Sequence, residues 1–332
     1  MLSNTHKRIV VIIIDIFLSW YIWEVNLSLG NLCYTADFSR CLLLSITTFL
    51  IFYTPFEIYF SFRDLWFDRW SKLYHNEIEV STIDIYVSDG FLSTNLIRNK
   101  NQAKIKLKNA IIILCHGFSD TKETLEYFYY PLAYQGYIIL AYDARGTGKS
   151  KKAGKRSNFL RRIEDFKKII EWVKNQEEFS TMSIHCVGFS IGAITVLSGG
   201  FLDKNVKKIV AISSMSYYKQ NIPKYNPIIM LSYFLKGVKL FPKDKENKKL
   251  SPFLLIQQVK RELPLEEWKF LSKRVMLIHC INDRIIKFNN FRENRSILEI
   301  LEENVLILKK GGHSNKKNES ALVGATLKFI NS

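Results

Sequence analysis

Short, continuously apolar runs recur along the chain at helix-length intervals, over residues 110–115, 137–142, 183–187, 208–213 and 275–280, with 305–308 last. Strands that are apolar on every residue are buried on both faces, so this spacing predicts a mostly parallel sheet with helices on both sides. One covering helix is legible between the second and third runs. There Ile163, Phe166, Ile169, Ile170 and Val173 recur at helical spacing among charged residues. Asp165 falls on the polar side of that pattern and is expected in solvent. Ahead of the sheet, residues 83–88 alternate apolar and polar, meet Asp89-Gly90, and resume from Phe91, which predicts a hairpin followed by a lysine-rich loop to residue 109.

Two regions break the rhythm. Residues 215–270 are too long for one crossover and hold eleven Lys or Arg against five Asp or Glu, which predicts a helical insertion capping the sheet's C-terminal edge. Within it, an apolar piece at 228–235 lies among Lys224, Lys236 and Lys239 and fits contact with lipid. Before residue 73 lie two apolar stretches, 9–29 and 41–62, interrupted only by Asp15, Glu24 and Glu57. Each reaches the roughly 20 residues a bilayer core requires. We therefore expect an N-terminal unit, 1–72, with two membrane-anchoring helices, and a second unit, 73–332, that carries the chemistry. A pair of core or interfacial helices packed on the second unit is the competing reading, because Asp15, Glu24 and Glu57 are costly in lipid. A secretory signal fits less well, since Asp15 interrupts the apolar region and no small-x-small site follows it.

Charge sharpens the orientation. The chain carries a formal net charge of +17, yet residues 1–62 hold three Lys or Arg against four Asp or Glu, so the excess lies in the remainder. Lys7 and Arg8 precede the first stretch, Arg63, Arg69 and Lys72 follow the second, and the connection holds only Arg40. The positive-inside rule then puts both ends, and the second unit, in the cytoplasm. The five cysteines (33, 41, 115, 186 and 280) show no paired spacing, so no disulfide framework is expected. No basic run is interleaved with aromatics in the manner of a nucleic-acid module, and nucleic acid is not an expected partner.

The run at 183–187 leads straight into Gly188-Phe189-Ser190-Ile191-Gly192, a strand followed by Gly-x-Ser-x-Gly. That pattern describes a tight turn that lifts a serine hydroxyl above a sheet. Acyl transfer by serine needs a base, an acid to orient the base, and donors for the oxyanion. Asp283 follows the strand at 275–280, and His313 follows the strand at 305–308 after two glycines. The chain order Ser190, Asp283, His313 resembles that of the α/β-hydrolase superfamily over roughly residues 78–331.

Three further stretches support the resemblance: His116-Gly117-Phe118 after the first sheet run, Asp143-Ala144-Arg145-Gly146-Thr147-Gly148-Lys149-Ser150 after the second, and Gly312-His313. The resemblance implies an α/β-hydrolase fold and an acyl-enzyme mechanism without cofactor or metal. Ser190 would be the nucleophile, His313 the base and Asp283 its partner. The backbone N–H groups of Phe118 and Ile191 would form the oxyanion hole, with His116, Gly117, Gly188 and Gly192 shaping the turns. A small-molecule or lipid-like carboxylester is the expected substrate. Peptides and thioesters remain alternatives, as does an inactive scaffold, because the fold hosts many chemistries. Gly148-Lys149-Ser150 does not read as a phosphate loop, since Asp143 stands where that motif needs glycine. Asp143 and Arg145 are expected to pin their turn. The neighbouring His-Cys pairs at 115–116, 185–186 and 279–280 point to opposite faces of their strands and do not chelate together.

Overall fold

A computed structural model describes residues 4–28, 38–66, 74, 76–101, 108–222, 227–235 and 237–332. The chain divides into two units, Met1–Leu73 and Tyr74–Ser332.

The first unit is a helical hairpin of α1 (Asn4–Ser28) and α2 (Phe38–Trp66). One charge pair, Arg8 with Glu57, bridges the hairpin and offsets part of the cost of these charges in apolar surroundings. Arg8 donates to both Glu57 oxygens at 3.1 Å, and Tyr53 and Ser61 donate to the same carboxylate at 2.7 and 2.8 Å. Among the described residues one helical stretch, Cys41–Ser61 in α2, is long and apolar enough to cross a membrane. Helix α1 carries Arg8, Asp15 and Glu24 within its apolar run. The flanking residues Arg69 and Lys72 lie outside the described residues. Cys41 is disulfide-bonded, which corrects the expectation of unpaired cysteines; Cys33 lies outside the described residues, and Cys115, Cys186 and Cys280 are free and buried. A single bridge leaves no spacing signature of the kind a framework does.

The second unit is built on eight strands: β1 (Ile78–Val87), β2 (Gly90–Asn99), β3 (Ala110–Cys115), β4 (Ile138–Tyr142), β5 (Ser183–Phe189), β6 (Val206–Ile212), β7 (Val275–Cys280) and β8 (Val305–Leu308). Their order is β1-β2-β4-β3-β5-β6-β7-β8. The first hairpin and the β2–β4 pair are antiparallel, and every other pair is parallel. Strands β3, β4 and β7 are buried along their whole length, as fully apolar runs require. Helices α3 (Glu126–Tyr134), α4 (Phe159–Asn175), α5 (Ile191–Gly200), α10 (Asn289–Leu298) and α11 (Glu319–Asn331) connect or follow the strands. In α4 the five periodic apolar residues are all buried, and Asn158 caps the start by accepting from Arg161 N–H.

Between β6 and β7 run α6 (Pro227–Leu235), α7 (Asp244–Leu250), α8 (Pro252–Glu262) and α9 (Leu265–Lys273). The expected cap is therefore divided. Ile256 and Val259 of α8 and Trp268 of α9 belong to the main core around the sheet. Met215, Tyr218, Ile222, Val238 and Leu250 instead form a separate apolar cluster with Phe159, Ile163, Ile191, Ile194 and Ile286. The residues from Met215 to Leu250 thus pack with Ile191 and Ile194 of α5, apart from the main core.

Asp165 is another correction: it is buried, and it accepts from Arg145 Nε at 2.7 Å and Nη2 at 2.6 Å. The polar side of α4 is thus interrupted by a fork-to-carboxylate pair that long-range folding brings together. Asp143, the start of the same turn, accepts from the buried Lys122 ammonium at 2.8 Å and from the Lys122 and Lys149 N–H groups at 3.0 and 2.8 Å.

Candidate active site

The turn between β5 and α5 is strained where the chemistry is expected. Ser190 has φ 55° and ψ −114°, a conformation uncommon for a residue with a side chain. Its N–H donates to Ile212 O at 2.9 Å, which ties the turn to β6. Both glycines are sterically required: a methyl on Gly188 would lie 2.2 Å from Gly192 O, and one on Gly192 would lie 2.0 Å from Cys115 O.

The loops after β7 and β8, at the same edge of the parallel strands, meet this serine. His313 Nε2 lies 2.9 Å from Ser190 Oγ, and its Nδ1 lies 2.8 Å from Asp283 Oδ2. A carboxylate accepts, so Nδ1 carries the proton and Nε2 is left to accept from the serine hydroxyl. The other Asp283 oxygen accepts from the N–H groups of Ile285 and Ile286 at 2.8 and 2.9 Å. Burial works to raise the Asp283 carboxyl, but the His313 contact and these N–H donors outweigh it and hold it below the usual range.

Sequence reasoning missed the residues that fix these loops. Asn282 Oδ1 accepts from Gly312 N–H at 2.9 Å, joining the acid loop to the histidine loop one residue before His313. Asn315 donates to His313 O and Ser213 Oγ, each at 3.3 Å. An Asn beside each expected site residue was the available signal, and it is too common to single out.

The loop after β3 lies against the serine turn, since a methyl on Gly117 would lie 3.7 Å from Phe189 O. Ile191 opens α5, so its N–H is one of those that a helix start leaves without an intrahelical acceptor. Among the described residues the Phe118 N–H meets no acceptor either. His116 holds this loop to the turn after β4: its Nδ1 donates to Gly117 O at 2.7 Å and its Nε2 accepts from Ala144 N–H at 2.9 Å. Burial, with a contribution from the Arg162 cation, pushes His116 down to about 3.

Burial also lowers His185, to about 4, and His279. These histidines are neutral when folded but take up a proton near pH 6.5 when unfolded. The unfolded state therefore binds more protons as pH falls below that value, and stability is lost over the same window. By pH 5 the loss is up to about 2 kcal/mol for each fully neutral histidine. The melting temperature is expected to fall by roughly 5–10 °C between pH 7.5 and pH 5. A flat profile by differential scanning fluorimetry would contradict the buried neutral assignments.

The wall beside Ser190 is apolar. Phe118, Leu160, Tyr233 and Leu240 pack onto the cluster that holds Ile191 and the cap residues. The rings of Phe118 and Phe159 meet edge to face at 5.6 Å.

Comparison with known proteins bears on the fold. Residues 107–263 match the serine aminopeptidase family S33. An uncharacterized 31.7 kDa protein from the traX-finO intergenic region of Escherichia coli is 29% identical over 126 residues, which are 38% of this chain and 44% of that one. The match thus spans under half the length of that relative. An esterase of Pyrococcus furiosus superposes with a TM-score of 0.55 at 20% identity, covering 79% of this chain and 93% of its own. An acylaminoacyl peptidase of Pyrococcus horikoshii gives 0.56 at 16% identity, over 79% of this chain and 43% of its own. The strand order and these likenesses together show that the chain has the α/β-hydrolase fold.

Proposed function

We propose that the chain is a serine hydrolase of carboxylesters with an apolar acyl group, working at a membrane surface. The observation that carries this reading is the continuous relay of 2.8 and 2.9 Å contacts from Asp283 through His313 to Ser190, set against an apolar wall. In the reaction, His313 Nε2 takes the Ser190 proton as Oγ attacks the ester carbonyl. The Phe118 and Ile191 N–H groups hold the oxyanion, and His313 then protonates the leaving alcohol. Water, deprotonated by His313, releases the acid from the acyl-enzyme.

The second half of the proposal concerns where the substrate comes from. The cap segment around α6 has two apolar sides. Tyr233, Val238 and Leu240 face the cluster next to Ser190. Leu231, Phe234, Leu235 and Phe241 are exposed by 57 to 75%. Lys243, Lys245 and Lys248 follow Phe241 in the chain, interleaved with Asp244 and Glu246, and an exposed apolar patch with lysines close in sequence fits an anionic bilayer surface. A spanning α2 would keep the second unit at that surface. An oxidised Cys41 at the start of α2 and three free thiols in the second unit suit opposite sides of a bilayer.

The match to an aminopeptidase family favours peptide hydrolysis as a second reading. Both readings are tested with the full chain reconstituted in anionic vesicles. Long-chain p-nitrophenyl esters should turn over faster than the acetate, and aminoacyl anilides slowest. The triple variant Leu231→Ser, Phe234→Ser, Phe241→Ser should lower turnover of a bilayer-dissolved ester about tenfold (about 1.4 kcal/mol) while sparing p-nitrophenyl acetate in water. Anilides outpacing esters would favour the peptidase, and equal losses on both esters would remove the membrane role of the cap.

A further inference from the structure

Arg162 is the most unusual charge in the fold. It is 1% exposed, and among the described residues none of its three guanidinium nitrogens has a hydrogen-bond partner. A buried cation without a partner is costly, and an arginine that served only stability would be paired. The carboxylate one turn further along α4, Asp165, is already held by Arg145 through two nitrogens. The polar groups around it at the ends of β3 and β4 supply no negative charge: burial pushes the Cys115 thiol up to about 12 and the Tyr142 hydroxyl well above its ordinary range.

Its surroundings say where the positive field goes. The guanidinium carbon sits 5.8 Å from the centre of the Phe159 ring, which in turn meets the Phe118 ring at 5.6 Å. A second guanidinium, Arg156, lies 6.0 Å from the centre of the Phe118 ring. Arg162 also acts electrostatically on His116 and on Asp120, the two residues that bracket Gly117 and Phe118. The loop that offers the Phe118 N–H is therefore in the field of a cation that, among the described residues, has no hydrogen-bonded counter-ion.

We infer that Arg162 is a positioning residue for the reaction, a buried cation behind the Phe118 loop that favours negative charge on the substrate oxygen as it develops. It does not touch the substrate. Its charge acts through a low-dielectric wall, where an interaction fixed before the reaction needs no reorganisation during it. The oxyanion forms only in the transition state, so the effect falls on kcat and leaves KM nearly unchanged. The inference rests on the acyl-transfer reading of Ser190.

The test uses the full chain with p-nitrophenyl esters and compares R162M, R162K and Ser190→Ala. R162M keeps the volume and removes the charge. It is expected to lower kcat about tenfold with KM within twofold, and to melt at or above the wild-type temperature because an unpaired buried charge is gone. R162K, which restores a cation, is expected to recover most of the loss. An unchanged kcat in R162M, a loss carried by KM, a kcat that R162K leaves as low as R162M, or an R162M chain that melts lower or fails to fold would each overturn the inference. Turnover surviving in Ser190→Ala would instead overturn the reading of the site itself, a separate outcome.

Discussion

Ser190→Ala is expected to lower ester turnover by about 10⁴-fold or more while leaving the fold intact. The substitution removes only the oxygen that His313 Nε2 approaches at 2.9 Å. The Cβ remains, so the φ of 55° and the hydrogen bond to Ile212 O are unchanged, and the melting temperature should move by no more than a few degrees. The N–H groups of Phe118 and Ile191 would still bind and polarise an ester, which is why some residual rate is expected. A loss under tenfold in steady-state kinetics would mean that another group performs the attack.

Asp283→Asn is expected to cost a comparable factor, about 10⁴-fold in kcat, for a different reason. One Asp283 oxygen accepts from two loop N–H groups and the other from His313. An asparagine can keep the first set with its carbonyl oxygen, so the loop should hold. Its amide nitrogen would then face His313 Nδ1 as a donor, and the ring would have to place its proton on Nε2. That tautomer donates to Ser190 instead of accepting from it. Folding and substrate binding should survive, with KM nearly unchanged. A kcat within tenfold of wild type would show that the Asp283–His313 contact does not set the state of the base.

Much of the second unit was legible because its signals are local. A fully apolar six-residue run such as 110–115 has few alternatives to a buried strand, and β3 has those bounds. The serine turn was legible for the same reason, since Gly188 and Gly192 are demanded by contacts within one turn and with the adjoining strand. What stayed hidden depends on distant partners. Asp165 has the spacing of a surface residue, and only the arrival of Arg145 from twenty residues away makes it a core residue. Lys122 looks like any surface lysine until Asp143 is placed over it. The cap was drawn too long because amphipathic α8 and α9 read alike whether they cover a sheet or a site. Ile256 and Trp268 resolve the question only through the core they enter. Arg162 could not be seen at all, as its significance lies in the partners it lacks.

The most direct test of the central claim is covalent labelling. The full chain in detergent is treated with a fluorophosphonate probe, and intact mass is followed by peptide mapping. We predict a single adduct on the peptide containing Ser190, absent from Ser190→Ala and formed far more slowly in Asp283→Asn. An unlabelled wild-type chain, or an adduct that persists in Ser190→Ala, would contradict the account.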